Sequence, residues 1–154
     1  MQEKKVDPTW MRTALEQARE AAKLEEVPVG AVLVQQEEII SIAHNRREID
    51  ANPLGHAEIL TIQEAAAKLG RWRLHDCTLI VTLEPCPMCA GAIINARIKR
   101  VIFGAKDPRT GCAGSMMNLL QNPKLNHRVD VIGGVMGDES SQLLKQFFSQ
   151  RRKS

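Results

Sequence analysis

One strand in the middle of the chain restricts the possible fold more than any other feature. Residues Cys77–Leu83 (CTLIVTL) are almost continuously apolar or β-branched, which is typical of a strand covered on both faces. Pro85 ends this run, and residues 87–96 can form a helix directly after it. A doubly covered strand that leads into a helix is typical of a sheet between two helical layers. The sequence therefore predicts an α/β fold.

Apolar periodicity predicts the elements around this strand. Asp7 and Pro8 form a helix start, and a helical period continues to about Glu25. Further strands are predicted at 31–34, 39–43, 101–104 and 129–132, and further helices at 56–69, 116–120 and 138–152. We expect a single domain over residues 1–154, with three α/β/α layers and a mixed five-stranded sheet that has helices on both faces.

Composition excludes several classes of protein. Of the 154 residues, 44% are apolar and 25% are charged, which is typical of a globular domain rather than a disordered chain. No apolar run approaches the roughly 18 residues of a membrane span, and the first eight residues contain no signal segment. We therefore expect a cytoplasmic protein with no membrane partner.

Two short segments contain the residues most suited to chemistry. His56 begins residues 56–58 (HAE) at a helix start, and residues 85–89 (PCPMC) join the central strand to the next helix. Cys86 and Cys89 lie on one face of the first helical turn, so both sulfurs can reach a single ion. The N–H groups of a helix start favour thiolates. Two thiolates and an imidazole select zinc.

The number of predicted ligands distinguishes two kinds of zinc site. A structural zinc normally has four protein ligands, whereas a catalytic zinc keeps one position for water. Cys112, Cys77 and His75 are weaker candidates for a fourth ligand than the three residues above. The sequence therefore favours a catalytic zinc.

Glu58 is predicted to act as the general base. Two residues along a regular helix correspond to about 200°, so Glu58 and His56 point in different directions and the carboxylate lies beside the metal rather than on it. Zinc with two thiolates and a neutral imidazole has no net charge, so it acidifies water weakly and a base helps. The protonated acid then serves the leaving group. A catalytically silent zinc-binding interaction module would not need this carboxylate.

Together these motifs resemble those of the bacterial tRNA-specific adenosine deaminases, in the cytidine deaminase superfamily. The H-x-E and P-C-x-x-C pair is the signature of zinc nucleobase deaminases. Residues 27–34 (VPVGAVLV) and 81–91 suit the wider superfamily. Residues 100–105 (RVIFGA), 126–128 (NHR) and 147–152 (FFSQRR) favour the tRNA branch.

The resemblance implies a cytidine deaminase-like fold, a homodimer and one zinc ion per subunit. It implies deamination of adenosine to inosine at the wobble position (34) of a tRNA anticodon, with Glu58 as the proton carrier. It also implies a set of substrate-binding positions. These are Val29 and Asn45 around the flipped base, the Ala57 N–H at the base edge, and Lys106, Asp107, Arg109 and Asn126 near the anticodon loop.

Charge gives only partial support for an RNA substrate. The net charge is +3, and basic residues cluster between Arg97 and Arg109 and again at the end of the chain. Such clusters bind phosphates, but a basic tail also complements a helix dipole, and composition leaves both interpretations open. The alternative function is deamination of a free base or nucleoside, guanine or cytosine, which would use the same zinc-site residues.

Overall fold

The structure, a computed structural model, describes residues 6–152. It contains four α-helices and five β-strands within this range. In chain order they are α1 (Pro8–Lys23), β1 (Gly30–Gln35), β2 (Glu38–His44), α2 (Ala57–Leu69), β3 (Cys77–Leu83), α3 (Pro87–Asn95), β4 (Arg100–Ala105), β5 (Asp130–Ile132) and α4 (Gly137–Arg152).

The strands form one mixed sheet in the order β2-β1-β3-β4-β5. β1 is antiparallel to both β2 and β3, whereas β3, β4 and β5 are parallel. The start of β1 therefore lies at the same edge of the sheet as the ends of β2, β3 and β4. This edge is formed by Gly30, His44, Leu83 and Ala105, and the candidate site lies beyond it.

Successive residues of the central strands point to opposite faces of the sheet and pack into two separate hydrophobic cores. Leu79 and Val81 face a core that includes residues of α2 and α3. Ile80 faces the other core, which contains Trp10 of α1 and Leu143 of α4. The predicted three-layer arrangement and the five-stranded mixed sheet are confirmed.

Close packing of α1 on β1 fixes the position of the strand that leads into the site. A Cβ at Gly30 would overlap the Ala14 carbonyl oxygen and lie 2.7 Å from the Ala18 backbone nitrogen. Only glycine allows this approach, because the opposing atoms belong to the helix backbone.

The predicted helix at 116–120 is wrong. The segment instead forms turns, with an isolated bridge between Ala113 and Asn118. The N–H groups of Met116 and Met117 both donate to the Gly111 carbonyl, which folds the chain back on itself. The other predicted elements are present, with ends that shift by a few residues.

No helix among residues 6–152 is both long enough and apolar enough to cross a bilayer.

Candidate active site

The two helix starts beyond the sheet edge bring the predicted metal ligands together. His56 is the N-cap of α2 and Cys86 is the N-cap of α3. Both residues have extended backbone angles, and neither side chain caps its helix. Their side chains are therefore available for a shared ligand, while the positive ends of two helix dipoles favour negative charge between them.

The geometry of the three side chains fits a tetrahedral zinc ion. His56 Nδ1 lies 3.6 Å from Cys86 Sγ and 3.5 Å from Cys89 Sγ, and all three atoms lie within 4.8 Å of one another. Zinc–nitrogen and zinc–sulfur bonds of normal length at a tetrahedral angle would separate N and S by about 3.5 Å. The side-chain positions therefore need almost no adjustment to bind the metal.

The pKa values of the two thiols shift in opposite directions. Hydrogen bonding to Cys89, followed by that to His56, lowers the pKa of Cys86 to about 4. Hydrogen bonding to Cys86 and burial raise the pKa of Cys89. These opposite shifts favour a Cys86 thiolate beside a Cys89 thiol, and metal binding would displace the remaining thiol proton.

Glu58 lies next to the three-residue group without belonging to it. Its side chain is 4% exposed and lines a cavity of about 170 Å³ that His56 and Cys86 also line. Burial raises its pKa to about 7. The regular-helix argument made from the sequence does not apply, because His56 precedes the helix with an extended backbone. No His, Cys, Asp or Glu elsewhere in residues 6–152 joins the group.

Asn45 and Val29 also line this cavity. Asn45 Oδ1 accepts a hydrogen bond from the Ala57 N–H at 2.8 Å, and the Asn45 N–H donates to the Val29 carbonyl at 3.1 Å. The Ala57 N–H assigned to the base edge by the resemblance is therefore already paired inside the protein. Asn45 fixes the start of α2 as well as lining the cavity.

A second, wider groove of about 730 Å³ adjoins the cavity and shares Asp107 and Thr110 with it. Lys106 and Arg109 line the groove together with the exposed ring of Phe148. Among the residues that the structure describes, the predicted site residue Asn126 is exposed before β5 and lines neither space.

Two buried acids at the cavity were not assigned by the sequence. Glu26 and Glu84 are each 2% exposed and both line the cavity. Glu26 accepts hydrogen bonds from the N–H groups of Glu48 and Ile49. In the sequence, Glu84 stands out only as an acid after a buried strand, and Glu26 only as an acid before the Val-Pro-Val segment that precedes β1. Neither position reveals the hydrogen-bonding partners.

Comparison with known proteins identifies the family. The profile of the MafB19-like deaminase family matches residues 6–152. The chain is 50% identical to the tRNA-specific adenosine deaminase of Bacillus subtilis (strain 168) over 147 residues, which cover 96% of this chain and 91% of that protein.

Two solved structures show that this chain is more similar to a tRNA deaminase than to a guanine deaminase. One, from work on A-to-I editing by tRNA:A34 deaminases at the wobble position of transfer RNA, has a TM-score of 0.87 and 41% identity, and covers 90% of this chain and 100% of that chain. A guanine deaminase from Bacillus subtilis has a TM-score of 0.65 and 36% identity, and covers 72% of this chain and 71% of that chain. Because the match to the tRNA enzymes is both closer and more complete, the chain belongs to the family of tRNA-specific adenosine deaminases.

Proposed function

We propose that residues 1–154 form one deaminase domain that converts adenosine to inosine at wobble position 34 of a tRNA anticodon. Water replaces the 6-amino group, which leaves as ammonia. The observation that carries the proposal is the buried Glu58 carboxylate beside the His56, Cys86 and Cys89 group, inside a cavity with room for a base. The similarity to tRNA enzymes supports the same reaction.

Zinc is the proposed cofactor, one ion per subunit, held by His56, Cys86 and Cys89. When bound, it would supply Lewis-acid activation of water. The Glu58 carboxylate accepts a proton from the attacking water and delivers protons to ring N1 and to the departing amino nitrogen. Its burial keeps these transfers away from bulk solvent.

The groove beside the cavity is the proposed path of the anticodon loop. Lys106 and Arg109 contribute positive charge along it, and the Phe148 ring offers an exposed flat surface for a neighbouring base. Asn45 and Val29 line the cavity, and this position supports their assignment to the flipped adenine. Asp107 is less available to contact RNA, because its carboxylate already accepts hydrogen bonds from the N–H groups of Arg109 and Thr110. Asn126 is assigned to the RNA by resemblance alone.

The proposal includes a homodimer in the cytoplasm. The resemblance to the family implies that two subunits shape the RNA site. A tRNA substrate implies that the reaction takes place where tRNA is decoded. Light scattering of the purified zinc protein tests the dimer.

Mass analysis of nucleosides tests the reaction. The zinc-loaded protein is incubated with an anticodon stem-loop that carries adenosine at position 34, with the same stem-loop carrying cytidine or guanosine there, and with free guanine, cytosine and adenosine. We expect inosine from the first substrate and none of the corresponding products from the others. Deamination of free guanine or cytosine, with no inosine from the stem-loop, would establish the alternative function.

A further inference from the structure

We infer that Glu84 is a positioning residue that ties the groove segment, residues 106–115, to the metal-binding turn. Its consequence for RNA rests on the function proposed above. Glu84 directly follows the central strand β3, two residues before Cys86, and the groove segment carries Lys106, Asp107 and Arg109. A single side chain thus connects the candidate metal ligands with the predicted RNA contacts.

The Glu84 carboxylate lies inside a loop that folds around it. Oε1 accepts hydrogen bonds from the Asp107 N–H at 3.0 Å and from the Ser115 hydroxyl. Oε2 accepts from the Ala113 N–H at 2.9 Å and from the Ser115 N–H at 3.0 Å. The two ends of the segment therefore bond to the same carboxylate, which closes the segment into a fixed loop.

Close packing and backbone bonds reinforce this attachment. A Cβ at Gly111 would lie about 2.5 Å from both Glu84 Oε2 and the Asp107 carbonyl oxygen. The Cys112 N–H donates to the Pro85 carbonyl at 2.8 Å, and the Glu84 N–H donates to the Ala105 carbonyl at 2.9 Å. The strand end, the metal-binding turn and the groove segment thus form one connected unit.

Replacement of the acid by its amide isolates this role. The substitution Glu84→Gln disrupts the loop, because the NH2 group of the new amide would face backbone N–H groups that have lost their acceptor. The substitution also removes a negative charge, which by itself strengthens RNA binding. Weaker binding in Glu84→Gln would therefore report displacement of the groove segment and not the change in net charge.

Asp76 provides a matched control at the other end of the same strand. Its carboxylate accepts hydrogen bonds from Gln35 Nε2 at 2.8 Å and Arg71 Nη2 at 2.6 Å. Asp76→Asn removes a bonded carboxylate without touching the groove segment, so it reproduces a general loss of stability. Ser115→Ala removes one donor to Glu84 and gives a milder version of the test variant.

The first measurement uses the zinc-loaded proteins without RNA. Trypsin cleavage after Arg109, identified by fragment mass, should accelerate about tenfold or more in Glu84→Gln because a released loop opens more often. It should accelerate less in Ser115→Ala and stay unchanged in Asp76→Asn. Unchanged cleavage in folded Glu84→Gln overturns the inference. If that variant does not fold, unchanged cleavage in Ser115→Ala overturns it.

The second measurement follows stem-loop affinity against salt, in a Glu58→Gln background so that the RNA is not consumed. Each phosphate contact to a single strand contributes about 0.7 to the slope of log Kd against log salt. Displacement of Lys106 and Arg109 should lower the slope by up to about 1.4, and an unchanged slope overturns the positioning role. If the unmodified groove fails to bind the stem-loop while cleavage behaves as expected, the proposed function fails and the attachment by Glu84 stands.

Discussion

The loop around Glu84 makes Gly111→Ala a severe substitution for such a small change. Gly111 is buried, and the added methyl would lie about 2.5 Å from Glu84 Oε2 and from the Asp107 carbonyl oxygen. Real Cβ contacts are longer than 3.0 Å, so both contacts must lengthen by about half an ångström. The carboxylate cannot swing aside freely, because four hydrogen bonds hold it.

The expected destabilisation follows from these contacts. Overpacking of a tight site costs about 1–3 kcal/mol, and each weakened hydrogen bond to a charged group adds a share of about 1.5–3 kcal/mol. We expect Gly111→Ala to lower the free energy of unfolding by about 2–3 kcal/mol. For a chain of this length, that corresponds to a fall in Tm of roughly 5–10 °C.

Thermal unfolding of the zinc-loaded protein and the KM for the anticodon stem-loop measure the effect. Gly70→Ala is the matched control. Gly70 has a φ of +67° at the end of α2 with open space around it, so alanine there costs about 1 kcal/mol of backbone strain and should leave KM unchanged. We expect Gly111→Ala to raise KM as well as lower Tm. A Gly111→Ala protein as stable as the original, with the same KM, would show that the loop is not tightly held.

Three further predictions concern the metal, the base and pH. Glu58→Gln should keep one zinc ion per chain while inosine formation falls by about 10²–10⁴-fold; loss of zinc, or an equal loss of activity in the exposed Glu64→Gln on the same helix, would contradict the role of Glu58. Cys86→Ala should bind no zinc by elemental analysis, and its Tm should match that of the original protein treated with a chelator. Partial burial opposes ionisation of Asp76, but hydrogen bonds from Gln35 and Arg71 outweigh it and hold its pKa well below the usual value. The stability from this group is therefore complete above about pH 4 and is lost as pH falls below it, so Tm should decline less in Asp76→Asn than in the original protein, and equal declines would refute the assignment.

Local sequence patterns predicted most of the fold because burial leaves a direct signature in them. The run Cys77–Leu83 was predicted with the observed ends, since both faces of β3 are covered and every position is under the same constraint. Asp7 was predicted as the cap of α1, and its side chain accepts a hydrogen bond from the Thr9 N–H. The three metal-ligand candidates were found because their spacing is local to two helix starts.

The errors arose where distant residues determine the local structure. The apolar residues of 116–120 suggested a helix, but the segment follows a loop whose path is set by Glu84 and Gly111. No pattern within the segment records those bonds. The argument for Glu58 has a local gap instead: it assumed regular helical geometry, whereas His56 precedes the helix with an extended backbone.

Glu26 and Glu84 suggest how this site separates metal binding from substrate recognition. Each is a buried acid at the sheet edge, and each accepts backbone N–H groups from one of the two loops that flank the cavity. Backbone donors do not depend on side-chain identity, so exposed residues such as Arg47 and Arg109 can change without releasing either loop. The acids themselves cannot change as freely, because their loss leaves these partly buried N–H groups without their acceptors. The sheet thus holds the loop backbones in place, while the loop side chains remain available for the proposed contacts with RNA.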